Sequence, residues 1–384
     1  MRSPTVAAAL LAIVTLLSSC GVTMPAPVSV TSCDPTAKPP PSDAVGALFF
    51  ASNRLPLCIA EGRYGLSNFR GIETVYGTSV LPDGETRWRH HLSTRNEPLA
   101  WREAIARRAA AVDPVRRPLL VFIHGYNNGF EDALERGLVL SRLAPYGTPV
   151  VVASWPSRNK LVSYTYDEAT IEWTTDAFET LLRDLLTVSD DITVVAHSMG
   201  NRAAMAAVLN LEREREPKAA AIRRLVLASP DVDRDWAMRS DGALDRLLKN
   251  GKRELLVYTS SADIANRASH RAHGFARLGS TDCRFDMNYA RQRSGANDCH
   301  MRASTPRLAL VDTGEVRSGL QRHADFVDSC AVREDLKQFL SGSALTLREP
   351  TGTDLRGAFK IDRALAERQG VLKCPRPTKA ARAG

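Results

Sequence analysis

The sequence predicts an α/β fold in which a mostly parallel central sheet is covered on both faces by helices. Two observations predict it: runs of consecutive apolar residues recur along the chain, and amphipathic segments of helical length separate most of them. Strands that are apolar along their whole length suit a parallel sheet that is buried on both faces. The intervening helices are the crossover connections that parallel strands require.

The predicted elements follow in chain order. A first strand covers residues 45–52, and hairpin-like material covers 72–93, with a turn at Pro82-Asp83-Gly84. Six further apolar runs predict strands at 119–123, 149–153, 192–196, 224–229, 254–258 and 307–311. Helices are predicted at 129–144, 168–187, 200–215, 241–250 and 323–340.

The N-terminal residues indicate a targeting signal rather than part of this fold. Arg2 precedes an apolar run at 6–17 that is too short to span a bilayer comfortably. The run leads into Leu17-Ser-Ser-Cys20, which resembles the lipobox of bacterial lipoproteins, and the resemblance implies cleavage before Cys20 and acylation of that cysteine. Several acyl chains would hold the protein on a membrane. Gly21 in place of aspartate favours the outer membrane; a plain secretory signal is the alternative.

The chain therefore divides into a signal at 1–19, a tether at 20–42, a folded domain at 43–342 and a C-terminal extension at 343–384. The tether is rich in Pro, Ser and Thr, a composition typical of extended linkers. Residues 264–305 are polar and predict an insertion in the domain. We expect the folded part to face the periplasm.

The distribution of charge limits the kinds of molecule that the chain is expected to bind. The net charge of +8 arises from arginines spread along the 384 residues, without a dense basic block. This distribution predicts a solvated surface with some attraction to anionic lipid, and it argues against a nucleic-acid partner. The sequence indicates neither a protein partner nor a cofactor. It contains no C-x-x-C motif or clustered Cys/His spacing, so no metal site is predicted.

Six cysteines remain when Cys20 is set aside, and an even number in an oxidising compartment predicts disulfides. Six cysteines allow 15 connectivities, among which the sequence does not choose. Pairing of nearest neighbours would give 33–58, 283–299 and 330–374. The six are Cys33, Cys58, Cys283, Cys299, Cys330 and Cys374.

A serine lies where the strand at 192–196 meets the helix at 200–215. In Ala196-His-Ser-Met-Gly200, small residues flank Ser198 two positions before and two after. Close packing between strand and helix requires small residues there, which is why G-x-S-x-G is the usual form of a nucleophile elbow. Ala196 departs from that form by one methyl group. Ser198 is therefore the candidate nucleophile, and an ordinary turn serine is the alternative.

A second polar loop follows the strand at 119–123 and begins His124-Gly-Tyr-Asn-Asn128. In folds of this kind such a loop donates one N–H to an oxyanion hole, and the residue after the nucleophile donates the other. Met199 and Tyr126 are the predicted donors, and Asn127 is the second choice after Tyr126. The side chains of His124 and His197 are expected to be structural.

The nucleophile needs a base, and the expected chain order is Ser, then Asp or Glu, then His. His323 lies beyond the last apolar strand and is the predicted base, with His270 or His273 as the minority option. Asp263 follows the strand at 254–258 and is the predicted acid. The other candidates follow the preceding strand: Asp231, the runner-up, and Asp233.

These motifs resemble the α/β-hydrolase superfamily, and within it a poorly characterised bacterial group of esterase/lipase-like hydrolases. The resemblance spans roughly residues 45–340 and implies a Ser/His/Asp hydrolase without supplying a substrate. The matching pieces are 49–54 (FFASNR), 124–128 (HGYNN), 154–157 (SWPS), 196–202 (AHSMGNR), 227–233 (LASPDVD) and His323 with its following helix.

The sequence thus predicts an envelope esterase or lipase that acts on small esters or envelope lipids through an acyl-serine. Residues 155–175 are aromatic-rich and indicate a lid or acyl pocket, or else core and surface. Amide, thioester or acyl-transfer chemistry on the same residues is one alternative function. A non-catalytic envelope lipoprotein is the other.

Overall fold

A computed structural model describes residues 47–59, 63–93, 98–281, 304–316, 323–351 and 358–374. The predicted signal and tether, Cys20 and Cys33, and the second half of the predicted insertion with Cys283 and Cys299 lie outside these residues, and the side chain of Cys58 is not described.

Eleven strands in the described part of the chain form one sheet in the order β10-β11-β9-β8-β7-β6-β4-β5-β1-β2-β3. In the part of the sheet that runs from β11 through β9, β8, β7, β6, β4 and β5 to β1, neighbouring strands are parallel. β1 pairs with β2, and β2 with β3, in the antiparallel direction. The strands are β1 (Leu48–Ile59), β2 (Arg63–Val80), β3 (Arg89–Leu92), β4 (Pro118–Ile123), β5 (Val150–Ser154), β6 (Asp191–His197), β7 (Ile222–Ala228), β8 (Glu254–Thr259), β9 (Leu308–Asp312), β10 (Arg348–Pro350) and β11 (Phe359–Ile361).

Helices cover both faces of this sheet, which confirms the predicted α/β fold. They are α1 (Pro98–Val112), α2 (Phe130–Leu143), α3 (Tyr164–Leu186), α4 (Gly200–Arg213), α5 (Arg234–Met238), α6 (Ala243–Leu248), α7 (Ile264–His273), α8 (Asp325–Asp328), α9 (Cys330–Ser341) and α10 (Arg363–Arg368).

Consecutive residues of the central strands enter opposite cores because side chains alternate across a sheet. Val121 packs in the core that α1, α3, α4 and α6 cover, whereas Phe122 packs in the core under α2, α9 and α10. Both side chains are fully buried. This two-sided burial explains why the central strands form near-continuous apolar runs.

Several segments differ from the sequence-based expectation. Helix α1 was not predicted, because its buried stripe is only Trp101, Ile105 and Ala109 in an Arg- and Ala-rich segment. The predicted helix at 323–340 is two helices, α8 and α9, divided at Ser329. The described part of the predicted insertion contains α7, and its residues 276–279 bond to the loops after β7 and β8.

The C-terminal extension adds to the same sheet, since β11 pairs parallel with β9 and β10 pairs with β11. A disulfide joins Cys330, at the start of α9, to Cys374. It is one of the three pairs that nearest-neighbour pairing gives. No helix of the described residues combines the length and apolar character that crossing a membrane requires.

Candidate active site

Ser198 occupies the sharp turn between β6 and α4. Its backbone has φ of 51°, in the left-handed region that non-glycine residues rarely adopt. The turn is held because the Ser198 N–H donates to the Ala228 carbonyl at 2.9 Å and the Asn201 N–H donates to the Ser198 carbonyl at 3.1 Å. Such strain at one sharp turn between a strand and a helix is typical of a nucleophile elbow.

Two glycines allow the elbow to lie against the loop after β4. A Cβ on Gly200 would lie 2.4 Å from the His124 carbonyl oxygen, and a Cβ on Gly125 would lie 2.7 Å from Cβ of Ser198. Neither position can therefore accept a side chain without movement of the backbone. This close approach places the 124–129 loop directly beside the serine.

His323 reaches Ser198 from the loop that precedes α8. Its Nε2 lies 2.7 Å from the Ser198 Oγ, and its Nδ1 lies 2.8 Å from the Asp263 Oδ2. The acidic partner is held in turn, because its carboxylate accepts from the N–H and the side-chain amide of Asn266, both at 2.9 Å. The structure thus brings together Ser198, Asp263 and His323, three side chains from loops at the carboxyl ends of β6, β8 and β9.

The charge of His323 is set by two opposing effects. Burial lowers its pKa, but the neighbouring Asp263 carboxylate raises it by charge and by hydrogen bonding, and the net result is a raised pKa. The carboxylate is fully buried, so its interaction with the imidazole is little weakened by water. This pair favours an imidazole that can accept and hold a proton.

His197 does not face the serine hydroxyl in this arrangement. Its Nε2 donates to the His323 carbonyl at 3.1 Å, and its Nδ1 accepts from the Arg136 guanidinium at 3.3 Å. Burial and the neighbouring positive charges hold the pKa of His197 well below its usual range, so the ring is neutral. His197 therefore braces the backbone that carries the predicted base.

His124 has the structural role expected of it. Its Nδ1 donates to the Gly125 carbonyl at 2.9 Å, and its Nε2 accepts from the Trp155 N–H at 3.1 Å. The Trp155 indole stacks on the ring at 5.1 Å and donates to the His124 carbonyl. Trp155 is thus a core residue rather than part of a lid.

The alternative acids bond elsewhere. The buried Asp231 carboxylate accepts from Tyr164, Ser269 and the Arg202 guanidinium, at 2.6, 2.5 and 3.2 Å. Asp233 caps helix α5 by accepting from the Trp236 N–H. Asp263 is the carboxylate that contacts the His323 ring.

The alternative bases lie on α7. The Nε2 of His273 contacts Glu168 at 2.8 Å, and its Nδ1 bonds to the Ser269 carbonyl. His270 is buried on the same helix. The imidazole that meets the serine is that of His323.

The predicted oxyanion donors flank Ser198. Met199 is fully buried directly after the serine, and Tyr126 lies next to Gly125, whose Cα approaches the serine. The Tyr126 hydroxyl is turned away and donates to the carbonyls of Lys160 and Leu161. The Asn127 N–H donates to the Asp167 carboxylate at 3.4 Å, so Tyr126 rather than Asn127 remains the candidate donor from this loop.

Several residues that support the candidate site could not be identified from the sequence. Arg136, Asn266 and Asp167 act on the site through other residues, and none of them belongs to a motif that marks such a role. The Asn at position 201 is different, since it follows the elbow glycine directly. Its side-chain amide donates to the carbonyls of Ser198 and Ala228. In the described ranges no cluster of three or more His, Cys, Asp or Glu side chains is arranged to hold a metal ion.

The comparisons with known proteins address the fold. Residues 106–338 match the model of a family described as "Alpha/beta hydrolase of unknown function (DUF900)". No curated protein sequence matches the chain significantly.

Solved structures of esterases overlap the chain at low identity. An esterase of Pyrobaculum calidifontis is 16% identical over 58% of this chain and 76% of its own, with a TM-score of 0.27. A thermostable esterase of Pseudomonas putida is 13% identical over 72% and 79%, with a TM-score of 0.32. The carboxylesterase EstE1, cloned from a metagenomic library, is 17% identical over 59% and 78%, with a TM-score of 0.29.

Proposed function

Because the chain belongs to a family of α/β-hydrolases of unknown function, we propose that it is a serine hydrolase that cleaves carboxylic esters through an acyl-serine intermediate. One observation carries the proposal. The hydrogen-bonded series from the Ser198 Oγ to His323 and on to Asp263 is the arrangement that activates a serine hydroxyl.

In the proposed reaction the Ser198 Oγ attacks the ester carbonyl carbon while His323 Nε2 takes the hydroxyl proton. The imidazolium that forms is stabilised by Asp263, which also holds the ring in the orientation shown. Negative charge develops on the carbonyl oxygen, and the N–H groups of Met199 and Tyr126 are the proposed donors to it.

The tetrahedral intermediate then collapses. His323 returns its proton to the leaving alcohol, and an acyl-serine remains. A water molecule repeats the sequence: His323 takes its proton, the resulting hydroxide attacks the acyl carbonyl, and the proton returns to the Ser198 Oγ as the carboxylic acid leaves. These steps use only groups of the chain and water.

The substrate and location are part of the same proposal. We propose small esters or envelope lipids as substrates, acted on by a protein that acyl chains at Cys20 anchor to the outer membrane. The support is the lipobox-like sequence at 17–20 and the dispersed positive charge, which suits an anionic lipid surface.

A fluorophosphonate probe tests the activated serine directly, because it phosphonylates serines whose hydroxyl is deprotonated by a base. The full chain should be labelled and the Ser198→Ala variant should not. p-Nitrophenyl esters of increasing chain length would then separate a short-chain esterase from a lipase.

Two outcomes point to the alternatives. Labelling without turnover of any ester would favour amide, thioester or acyl-transfer chemistry. Absence of labelling in the wild-type chain, under conditions where its fold is intact by circular dichroism, would favour a non-catalytic protein.

A further inference from the structure

A buried arginine joins three of the sequence motifs that the Ser198–His323–Asp263 series leaves unexplained. Arg54 ends the 49–54 motif in β1, and its side chain is fully buried. Its guanidinium donates to five acceptors, four of which lie at 2.6–3.2 Å. They are the Ser67 carbonyl, the Asn68 Oδ1, the Ser154 Oγ, the Ser157 carbonyl and the Asn128 carbonyl. The last three belong to the 154–157 and 124–128 motifs.

A buried carboxylate bonds to other groups of the same loop. Asp167, in the first turn of α3, is fully buried and accepts from the Ser157 hydroxyl, from the Arg158 N–H at 2.8 Å and from the Asn127 N–H at 3.4 Å. The Ser157 Oγ in turn accepts the Asn128 N–H at 3.2 Å. Asp167 therefore reaches two consecutive N–H groups of the loop, one directly and one through Ser157.

Further hydrogen bonds hold the 124–129 loop locally. The Asn128 side-chain amide donates to the carbonyls of Gly125 and Tyr126, at 3.2 and 2.6 Å, and the Gly129 N–H donates to Asp132 at 2.7 Å. Asn127 holds a φ of 56°, in the left-handed region that asparagine tolerates better than most residues. The peptide groups on both sides of Tyr126 are thus fixed in direction.

We infer that Arg54 and Asp167 are positioning residues, which hold the 124–129 loop so that the Tyr126 N–H faces the oxyanion beside Ser198. The inference rests on the proposed function, in which that N–H stabilises developing negative charge. It assigns a role to the 49–54 motif, which lies far from the serine in sequence and supplies no group to the proposed reaction.

The charge of Arg54 agrees with this role. Burial lowers the pKa of Arg54 to about 9, against the opposite effect of Asp167 and Asp132, so the guanidinium stays protonated at neutral pH. A charged donor makes shorter and stronger hydrogen bonds to carbonyl groups than a neutral one. Lysine at position 54 would keep the charge but lose the planar fork that reaches Ser154 and Asn128 together.

The test compares Arg54→Lys, Asp167→Asn and Ser157→Ala in the full chain. Competent sites are counted with the fluorophosphonate probe, and kcat and KM for p-nitrophenyl acetate are then expressed per labelled site. A trifluoromethyl ketone supplies an adduct that mimics the tetrahedral oxyanion. Misplacing one oxyanion donor should lower kcat by roughly 10- to 1,000-fold. We expect KM to change by less than about threefold, and the Ki of the ketone to rise in step with the loss of kcat.

Arg253→Lys is the matched control. Arg253 is also fully buried, and it donates to the carbonyls of Ala219, Ile222 and Leu247. It lies where β7 and β8 begin, whereas Ser198 lies at the carboxyl ends of the strands. Its substitution should lower the melting temperature and leave kcat per labelled site and the ketone Ki unchanged.

The inference is overturned if the folded variants keep the wild-type kcat and ketone Ki per labelled site, or if the whole loss lies in KM. Ser157→Ala removes only one oxygen atom, so it decides the matter if Arg54→Lys does not fold. A wild-type chain that the probe does not label would refute the proposed function, and this inference with it.

Discussion

At the scale of single residues, the proton affinity of His323 links the structure to the pH dependence of activity. The proposed base works only as neutral imidazole, and Asp263 raises its pKa above the ordinary value near 6.5. Activity should therefore be lost as the pH falls through this raised pKa. The neutral form is retained above it, which places the acid limb of the kcat/KM profile above the ordinary pKa of an imidazole.

Asp263→Asn should move that acid limb to lower pH, because burial, which lowers the pKa of His323, would no longer be opposed by the carboxylate at 2.8 Å. The plateau at high pH should fall by about 10²- to 10⁴-fold, since the amide holds the imidazolium poorly. The measurement is kcat/KM for p-nitrophenyl acetate between pH 5 and pH 9.

Asp231→Asn is the comparator for this profile. Asp231 also raises the pKa of His323 by its charge, but its carboxylate bonds to Tyr164 and Ser269. We expect a smaller shift of the limb in the same direction and a plateau within about tenfold of wild type. An unchanged acid limb in Asp263→Asn would contradict the assignment of Asp263 as the partner of His323.

At the scale of secondary-structure elements, the packing of α4 against β4 sets the position of the elbow. Gly200→Ala would place a methyl group 2.4 Å from the His124 carbonyl oxygen, and that backbone atom cannot turn aside. The start of α4 must then move away and carry the Met199 N–H with it. We expect a loss of unfolding free energy of about 1–3 kcal/mol and at least a roughly tenfold fall in kcat.

Gly137→Ala in α2 separates the two effects. A Cβ there would lie 2.5 Å from a methyl group of Val152, which is also too close, but this contact lies in the other core and away from the elbow. It should lower the melting temperature without changing kcat. Equal losses of kcat in both variants would show that the fall reflects general destabilisation.

Much of the element order could be predicted from the sequence, because burial on both faces makes the central parallel strands near-continuous apolar runs. β6 and β8 begin and end within about two residues of the prediction. The short strands β10 and β11 could not be predicted, since each has three residues and owes its conformation to its neighbours in the sheet. The same limit applies to the site. Ser198 stands in a local motif, whereas residues such as Asp167 and Arg136 are defined only by three-dimensional contacts.

At the scale of the whole molecule, the Cys330–Cys374 disulfide closes the C-terminal extension onto the domain. The two cysteines are 44 residues apart. A cross-link over a loop of that size restricts the unfolded chain and contributes up to about 4 kcal/mol in the chain-entropy description. Cys374→Ser should therefore lower the melting temperature by several degrees, measured by calorimetry, and leave kcat at 25 °C unchanged.

The double variant Cys330→Ser/Cys374→Ser is its control. If the two thiols act only as a pair, the double variant should melt at the same temperature as Cys374→Ser. A melting temperature equal to that of wild type in both would show that the disulfide does not stabilise the protein.

The three side chains of the proposed triad are spread over 125 residues, and the last of them to be synthesised is His323. A nascent chain that has already made its nucleophile, its acid and most of its sheet still lacks the base. Hydrolytic capacity should accordingly arise in a single late step of maturation, after nearly the whole domain has left the ribosome. A chain interrupted before that point would be inert towards the esters of the cell that makes it.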